Sequence, residues 1–337
     1  MRQGMSSAAD QPSRPDLIAW EVSDSGARPG EEDSLKATVE ELARFGDDQR
    51  ILLSGIDHAS RDDIHTIVEA GRTHDLELIL SPEDPRLMDR TFIRSLAAAG
   101  LTGVSITLDG PDRESHDEFN GGVGKFNAAI RIARWAHEFG LSLEIETTVT
   151  RSTVDGIDHL AAKILALDAD RWTLSFLVPS NRGVEFAEVY PSQSRELLEW
   201  VATIDANHDL SISIAHAPMF HRVIASADES GGKSSTANTL VAGDSLLYIG
   251  PDGTVAPSGT LTIDLGRLPD DDLIELYRRH TLLQAIRDPS TRKGMCGACE
   301  FAGICGGSRA RAYSHFGDPL EQDPMCPFIP ENVEVSE

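Results

Sequence analysis

A chain of 337 residues, 40% hydrophobic and 25% charged, has the size and balance of a globular protein with one large domain and a small one. It has no run of about 18 apolar residues, which argues against a helical membrane span. Its opening stretch, MRQGMSSAADQPSRPD, lacks the apolar core of a secretory signal, so a cytoplasmic protein with reduced thiols is expected. Thirty Lys and Arg face 55 Asp and Glu, a formal net charge of −25 that argues against nucleic-acid binding. The acids are scattered in PGEED, FGDD, SRDD, PDDD and LEQD, as on a surface adapted to high salt, where screening makes a dense acidic coat tolerable.

Strand-like apolar runs recur at LIAWEV (17–22), RILLSG (50–55), LELILS (76–81), GVSITLDG (103–110), LEIETTVT (143–150) and WTLSFLVP (172–179). Their starts lie roughly 25 to 40 residues apart, the spacing of βα units. Amphipathic helix patterns fall between them. One puts Leu35, Val39 and Leu42 on a single face, with Ser34 as N-cap and Gly46 as stop. The next opens on Ser60 and Asp63, a capping-box variant, and buries Ile64, Ile67 and Val68. Later ones carry Phe126, Ile130 and Ala133, then Ile157, Leu160 and Ile164. Six such units predict a parallel sheet with helical crossovers, either flat and doubly wound or curled into a barrel. Functional groups then sit at the carboxyl ends of the strands.

Beyond residue 180 a helix pattern covers 192–205 and a strand pattern covers 210–216. ASADESGGKSSTANT (225–239) reads as a flexible loop or domain boundary. SLLYIGPDGTVAPSG (245–259) reads as a hairpin turning at Pro251-Asp252-Gly253. All the cysteines follow, spaced Cys296-x2-Cys299-x5-Cys305-x20-Cys326. A C-x2-C pair lets two thiolates from one turn grip a metal centre, and the other two complete a four-ligand set. Gly297, Gly306 and Gly307 suit a turn in which backbone N–H groups approach sulfur. A reducing compartment disfavours two disulfides, while a structural zinc site and a [4Fe–4S] cluster both fit the spacing.

The residues around the cysteines, CGACEFAGICGGSRARAYSHFGDPLEQDPMCPFIP, are similar to the C-terminal cluster domain, called SPASM, of radical SAM proteins. The likeness is to the branch of heme-biosynthetic and maturation enzymes, and DGTVAPSG with LGRL resembles that domain's lead-in hairpin. The resemblance implies an auxiliary [4Fe–4S] cluster on Cys296, Cys299, Cys305 and Cys326. It implies no second one, because Ser258 stands where many such domains have another cysteine. LIAWEV, RILLSG, ITLDGPDRESHDEFNG and IETTVTR resemble successive barrel strands of the same superfamily. The implied architecture is α/β: a partial (β/α)6 TIM-like barrel with a small C-terminal SPASM iron–sulfur domain. It runs as a disordered 1–15, a barrel over 16–224, a flexible loop over 225–239 and the cluster domain over 240–337.

Radical SAM proteins carry C-x3-C-x2-C just after the first strand, three thiolates that leave one iron open to chelate S-adenosylmethionine. Here that stretch reads EVSDSGARPGEEDSL, with neither cysteine nor histidine. Serine, aspartate and glutamate are poor ligands for so soft a centre. Ile56 replaces a glycine of the pattern that receives the methionine group, Glu146 an asparagine, and Asn120 an arginine. The expectation is a pseudo-radical-SAM/SPASM protein of haloarchaeal type, with no catalytic residues, one auxiliary cluster and no bound S-adenosylmethionine. It would serve an active radical SAM paralogue or another redox protein as electron carrier, substrate presenter or subunit.

Other candidates have plain structural readings beside the functional ones. His116 and Asp117 could perform acid/base chemistry at the end of the fourth strand, or belong to the scaffold of the turn. His216 and His221 could ligate metal, or be ordinary polar positions. Arg309 and Arg311 could steer an electron donor or anionic substrate, or pair internally with Asp318, Glu321 or Asp323. GGVGKF (121–126) lacks the pattern of a phosphate loop. Two other functions stay open: an enzyme of another class that reuses the barrel pocket through His116, Asp109 or Glu146, and a structural zinc protein.

Overall fold

Residues 14–22, 31–56, 62–179, 186–205, 209–229 and 237–328 are described in the computed structural model of the chain. The βα alternation produces β1 (Leu17–Glu21), β2 (Arg50–Ile56), β3 (Glu77–Pro82), β4 (Gly103–Thr107), β5 (Ser142–Val149), β6 (Arg171–Phe176) and β7 (Ser211–Ala215). The chain then adds β8 (Asn238–Leu240), β9 (Leu246–Ile249), β10 (Thr254–Ala256) and β11 (Gly266–Arg267). Among the described residues these form one sheet in the order β11-β10-β9-β1-β2-β3-β4-β5-β6-β7-β8. Pairing is parallel from β9 through β8 and antiparallel for β10 and β11 at the other edge.

Side chains alternate along each strand, so β5 sends Leu143, Ile145 and Val149 into the core and Glu144 to the other face. There Glu144 meets Arg50 of β2, although β3 and β4 lie between the two strands. Arg50 also reaches Glu77 of β3 at 3.1 Å, and Arg171 of β6 stands 3.6 Å from Glu144. Side chains of β2 and β5 can touch across that face only if the sheet curls. The sheet is therefore a half-barrel with an ion-pair network inside it, not a flat doubly wound one.

Every strand expected from the sequence is present, and the hairpin turns at Asp252, whose Oδ1 accepts from Thr254 N–H at 3.0 Å. The strand β9 lies beside β1, so the C-terminal segment continues the barrel's sheet. Three local expectations are corrected. The first helix spans Glu31–Ala43, which puts Ser34 inside it and not at its cap. The stretch 225–239 is not all loop: its described ends belong to the helix Phe220–Glu229 and to β8, which pairs with β7. The helix Arg113–Phe119 was not foreseen; Asp112 caps it by accepting from Ser115 N–H, as Asp89 caps the crossover helix Arg90–Ala99 by accepting from Phe92 N–H. Ser60 lies outside the described residues. No helix among the described residues is long and apolar enough to cross a membrane.

Candidate metal centre

Cys296 sits in the short helix Gly294–Ala298, and Cys299 follows its end. A turn leads to Cys305, whose amide donates to the Phe301 carbonyl at 2.9 Å. Gly306 and Gly307 follow with φ of 72° and 69°, a left-handed conformation that favours glycine. A Cβ on Gly307 would stand 2.8 Å from both Cys296 Sγ and Asp323 Cβ. Ser308 then caps the helix Arg309–Phe316, its Oγ accepting from Arg311 N–H at 3.3 Å. The chain returns through Asp323 to Cys326.

All four cysteines line one cavity with about 440 Å³ of free space, part of it open to solvent, bordered by Arg222 and Phe328. Backbone donors point at the sulfurs: Asp323 N–H to Cys296 at 3.3 Å, Phe301 N–H to Cys299 at 3.4 Å and Gly307 N–H to Cys305 at 3.4 Å. Arg309 Nη2 adds a donor 3.7 Å from Cys296 Sγ. Burial pushes the Cys305 thiol up to about 12 and the Cys326 thiol up to about 11, and raises Cys296 as well. Free of metal these groups are neutral thiols, and a bound cation is what would displace their protons.

Arg292 adds an unusual feature. Its Nε and Nη1 are buried without a hydrogen-bond partner among the described residues, an arrangement that costs stability unless an acceptor arrives. Four thiols in one cavity, N–H groups aimed at sulfur and an orphaned cation fit an anionic thiolate-bound group. A single zinc ion and an iron–sulfur cluster both take thiolates of this kind, zinc drawing them to about 2.3 Å from one centre. A four-iron cluster spreads its ligands over four metals.

The two arginines of SRARAY face inward. Arg309 is 2% exposed and donates to the carbonyls of Gly307, Pro319 and Glu321 at 3.1, 2.8 and 2.8 Å. Arg311 is fully buried and joins the cysteine segment to the barrel. It donates to Glu188 at 2.6 Å and to the carbonyls of Leu177 and His216, which follow β6 and β7, at 3.0 and 2.9 Å. It also reaches both Asp323 oxygens at 3.4 Å. The internal pairing foreseen with Asp323 is therefore real, while Glu188 and the carbonyls were not legible. Arg222 clamps the cavity's edge, its guanidinium 4.6 Å from the Phe301 ring centre and 4.4 Å from that of Phe328, with Glu300 at 3.2 Å.

The histidine candidates resolve into scaffold. His116 Nδ1 accepts from Asp109 N–H at 3.1 Å, and burial lowers its pKa to about 4, so it is a neutral acceptor at physiological pH. The Asp117 carboxylate accepts from Gly124 and Phe126 N–H at 2.6 and 2.8 Å, holding the start of the helix Lys125–Phe139. His221 bonds Thr239, and His216 stands 3.4 Å from Thr260 Oγ1, so the pair shares no metal site among the described residues. At the barrel mouth Asn120 bridges Asp109 Oδ2 (3.0 Å) and His116 Nδ1 (3.3 Å). Burial, with Asp109 and Glu144 nearby, raises Glu146 to about 7. These four residues do come together. Of the cysteine-free stretch after β1, residues 23–30 lie outside the described residues.

Residues 19–176 match the Radical SAM superfamily. Over nearly the whole chain the sequence is similar to the AdoMet-dependent heme synthase of Methanosarcina barkeri, at 28% identity over 94% of this chain and 97% of the relative. It is also similar to the PqqA peptide cyclase of Rhodopseudomonas palustris, at 26% identity over 88% and 78%. The fold is similar to that of Streptococcus suis SuiB bound to S-adenosylmethionine, with a TM-score of 0.69 and 15% identity over 94% of this chain and 78% of that one.

Proposed function

We propose that this chain, which matches the Radical SAM superfamily over residues 19–176, holds one [4Fe–4S] cluster on Cys296, Cys299, Cys305 and Cys326 and does not cleave S-adenosylmethionine. Residues 240–337 are then a SPASM-type domain, and the protein serves an active radical SAM relative or another redox enzyme as electron carrier, substrate presenter or subunit. One observation carries the reading: a chain whose relatives include a heme synthase and a peptide cyclase puts every cysteine it has into one C-terminal cavity. The stretch after β1 retains no thiolate or imidazole with which to hold a second cluster. Bound at the four cysteines, the cluster supplies a one-electron centre. The chain's own part is to bury the thiols, donate backbone N–H groups to sulfur, and tie the site to the ends of β6 and β7 through Arg311.

The protein, purified anaerobically and reconstituted, should contain about four irons and four sulfides per chain. Cys299→Ser should lose that content. Incubation with S-adenosylmethionine and dithionite should release no 5′-deoxyadenosine; measurable release would overturn the reading, and zinc without acid-labile sulfide would replace it by the structural-metal alternative. The Glu146 carboxyl, raised to about 7 beside Asp109, favours a second reading in which the barrel mouth performs acid/base chemistry of another class. A metabolite turned over by the wild-type chain and not by Glu146→Gln would support that reading.

A further inference from the structure

Most buried arginines of the cysteine segment are fully engaged, Arg309 by three carbonyls and Arg311 by two carboxylates and two carbonyls. Arg292 is the exception. Its hydrogen bond from Nη2 to the Ile286 carbonyl is long, 3.5 Å, and Nε and Nη1 are buried with no partner among the described residues. The guanidinium packs on Gly306, where any side chain would collide with it. The titratable groups acting on it are Arg309, which repels it, Asp244, and the thiols of Cys305 and Cys296, which attract it only as thiolates. Asp244 lies beside a different cation, Arg287, at 3.6 Å. Arg309 thus touches Cys296 directly, while Arg292 stands behind the turn next to Cys305 with its charge unmatched by a close carboxylate among the described residues.

We propose that Arg292 is a positioning cation of the cysteine site, supplying positive charge from behind the Gly306 turn so that the bound cluster is easier to reduce. This rests on the cluster assignment above. One electron from an external reductant adds one negative charge to the cluster, and a fixed cation behind the adjoining turn stabilises that added charge. Arg309 cannot be assigned the same role by substitution, because its carbonyl bonds hold the turn itself.

The test is a dithionite titration of the full chain, reconstituted anaerobically, comparing wild type, Arg292→Gln and Arg292→Lys, with iron and sulfide assayed in each. Arg292→Gln should keep its cluster, and its reduced-to-oxidised ratio at the wild-type midpoint should fall at least tenfold, which is 59 mV for a one-electron couple. Arg292→Lys should recover most of that shift. A fully loaded Arg292→Gln with the wild-type midpoint overturns the proposal. Should Arg292→Gln lose iron, full loading of Arg292→Lys supports the need for charge, and loss in both overturns it in favour of a packing role. A wild-type chain without iron and sulfide instead overturns the cluster assignment itself.

Discussion

Gly307 and Cys296 approach so closely that a methyl group cannot be fitted between them. Gly307→Ala combines strain in a left-handed backbone with a contact on the sulfur, at a cost of about 1–3 kcal/mol. Reconstituted Gly307→Ala should carry less than half the iron of wild type, measured colorimetrically beside a denaturation curve. A second residue-scale prediction concerns Glu146. Its folded pKa of about 7 lies above the ordinary 4.5, so between those values the folded chain keeps a proton that the unfolded chain has released. Stability contributed by this group therefore falls as pH rises from 4.5 to 7, by about 3 kcal/mol, and is level above. Glu146→Gln lacks that fall. In urea it should match wild type near pH 4.5 and be the more stable protein at pH 8. His116 and His216, both lowered to about 4, act in the opposite direction as stability lost on acidification below 6.5, which the comparison of the two proteins cancels. At this scale the sequence marked the cysteines because their spacing is local, and missed Glu188 and Arg292 because their meaning depends on groups distant in the chain.

Between elements, Arg311 is the joint. It carries the charge of the helix Arg309–Phe316 into the space below β6 and β7, where two carboxylates and two backbone carbonyls receive it. Removing one partner from such a buried network leaves the others uncompensated, at about 3–5 kcal/mol. Arg311→Met should lower the unfolding free energy by that amount. Arg311→Lys should recover little of it, since an ammonium cannot span the same fork of acceptors. The elements that the sequence did not announce are the least periodic ones. The strands β8 and β11 have three and two residues, and the helix Arg113–Phe119 has seven, too few for a pattern to show. The error at Ser34 has a similar source: two glutamates and an aspartate precede it, all good first-turn residues, so the helix starts earlier.

For the whole molecule, a net charge of −25 spread over the chain makes self-repulsion a term in stability. Raising KCl from 0.05 to 1 M shortens the screening length from about 14 Å to about 3 Å. The thermal midpoint should rise over that range by several degrees and level off. A midpoint that is flat or falling would show that the acidic surface is already balanced by its local ion pairs. The sequence by itself determined the alternation of strands and helices and the confinement of every cysteine to one segment, with none after β1 until Cys296, because each is a matter of residue type and spacing. Only the tertiary structure decided that the sheet curls. Periodicity of two says which face a side chain takes but not how far that face bends, and the bend is seen in Arg50 of β2 reaching Glu144 of β5. Likewise only the fold decided that Arg309 and Arg311 point inward and that His116 and Asp117 are scaffold, since a charged or polar residue is assigned its role by partners that chain order does not reveal.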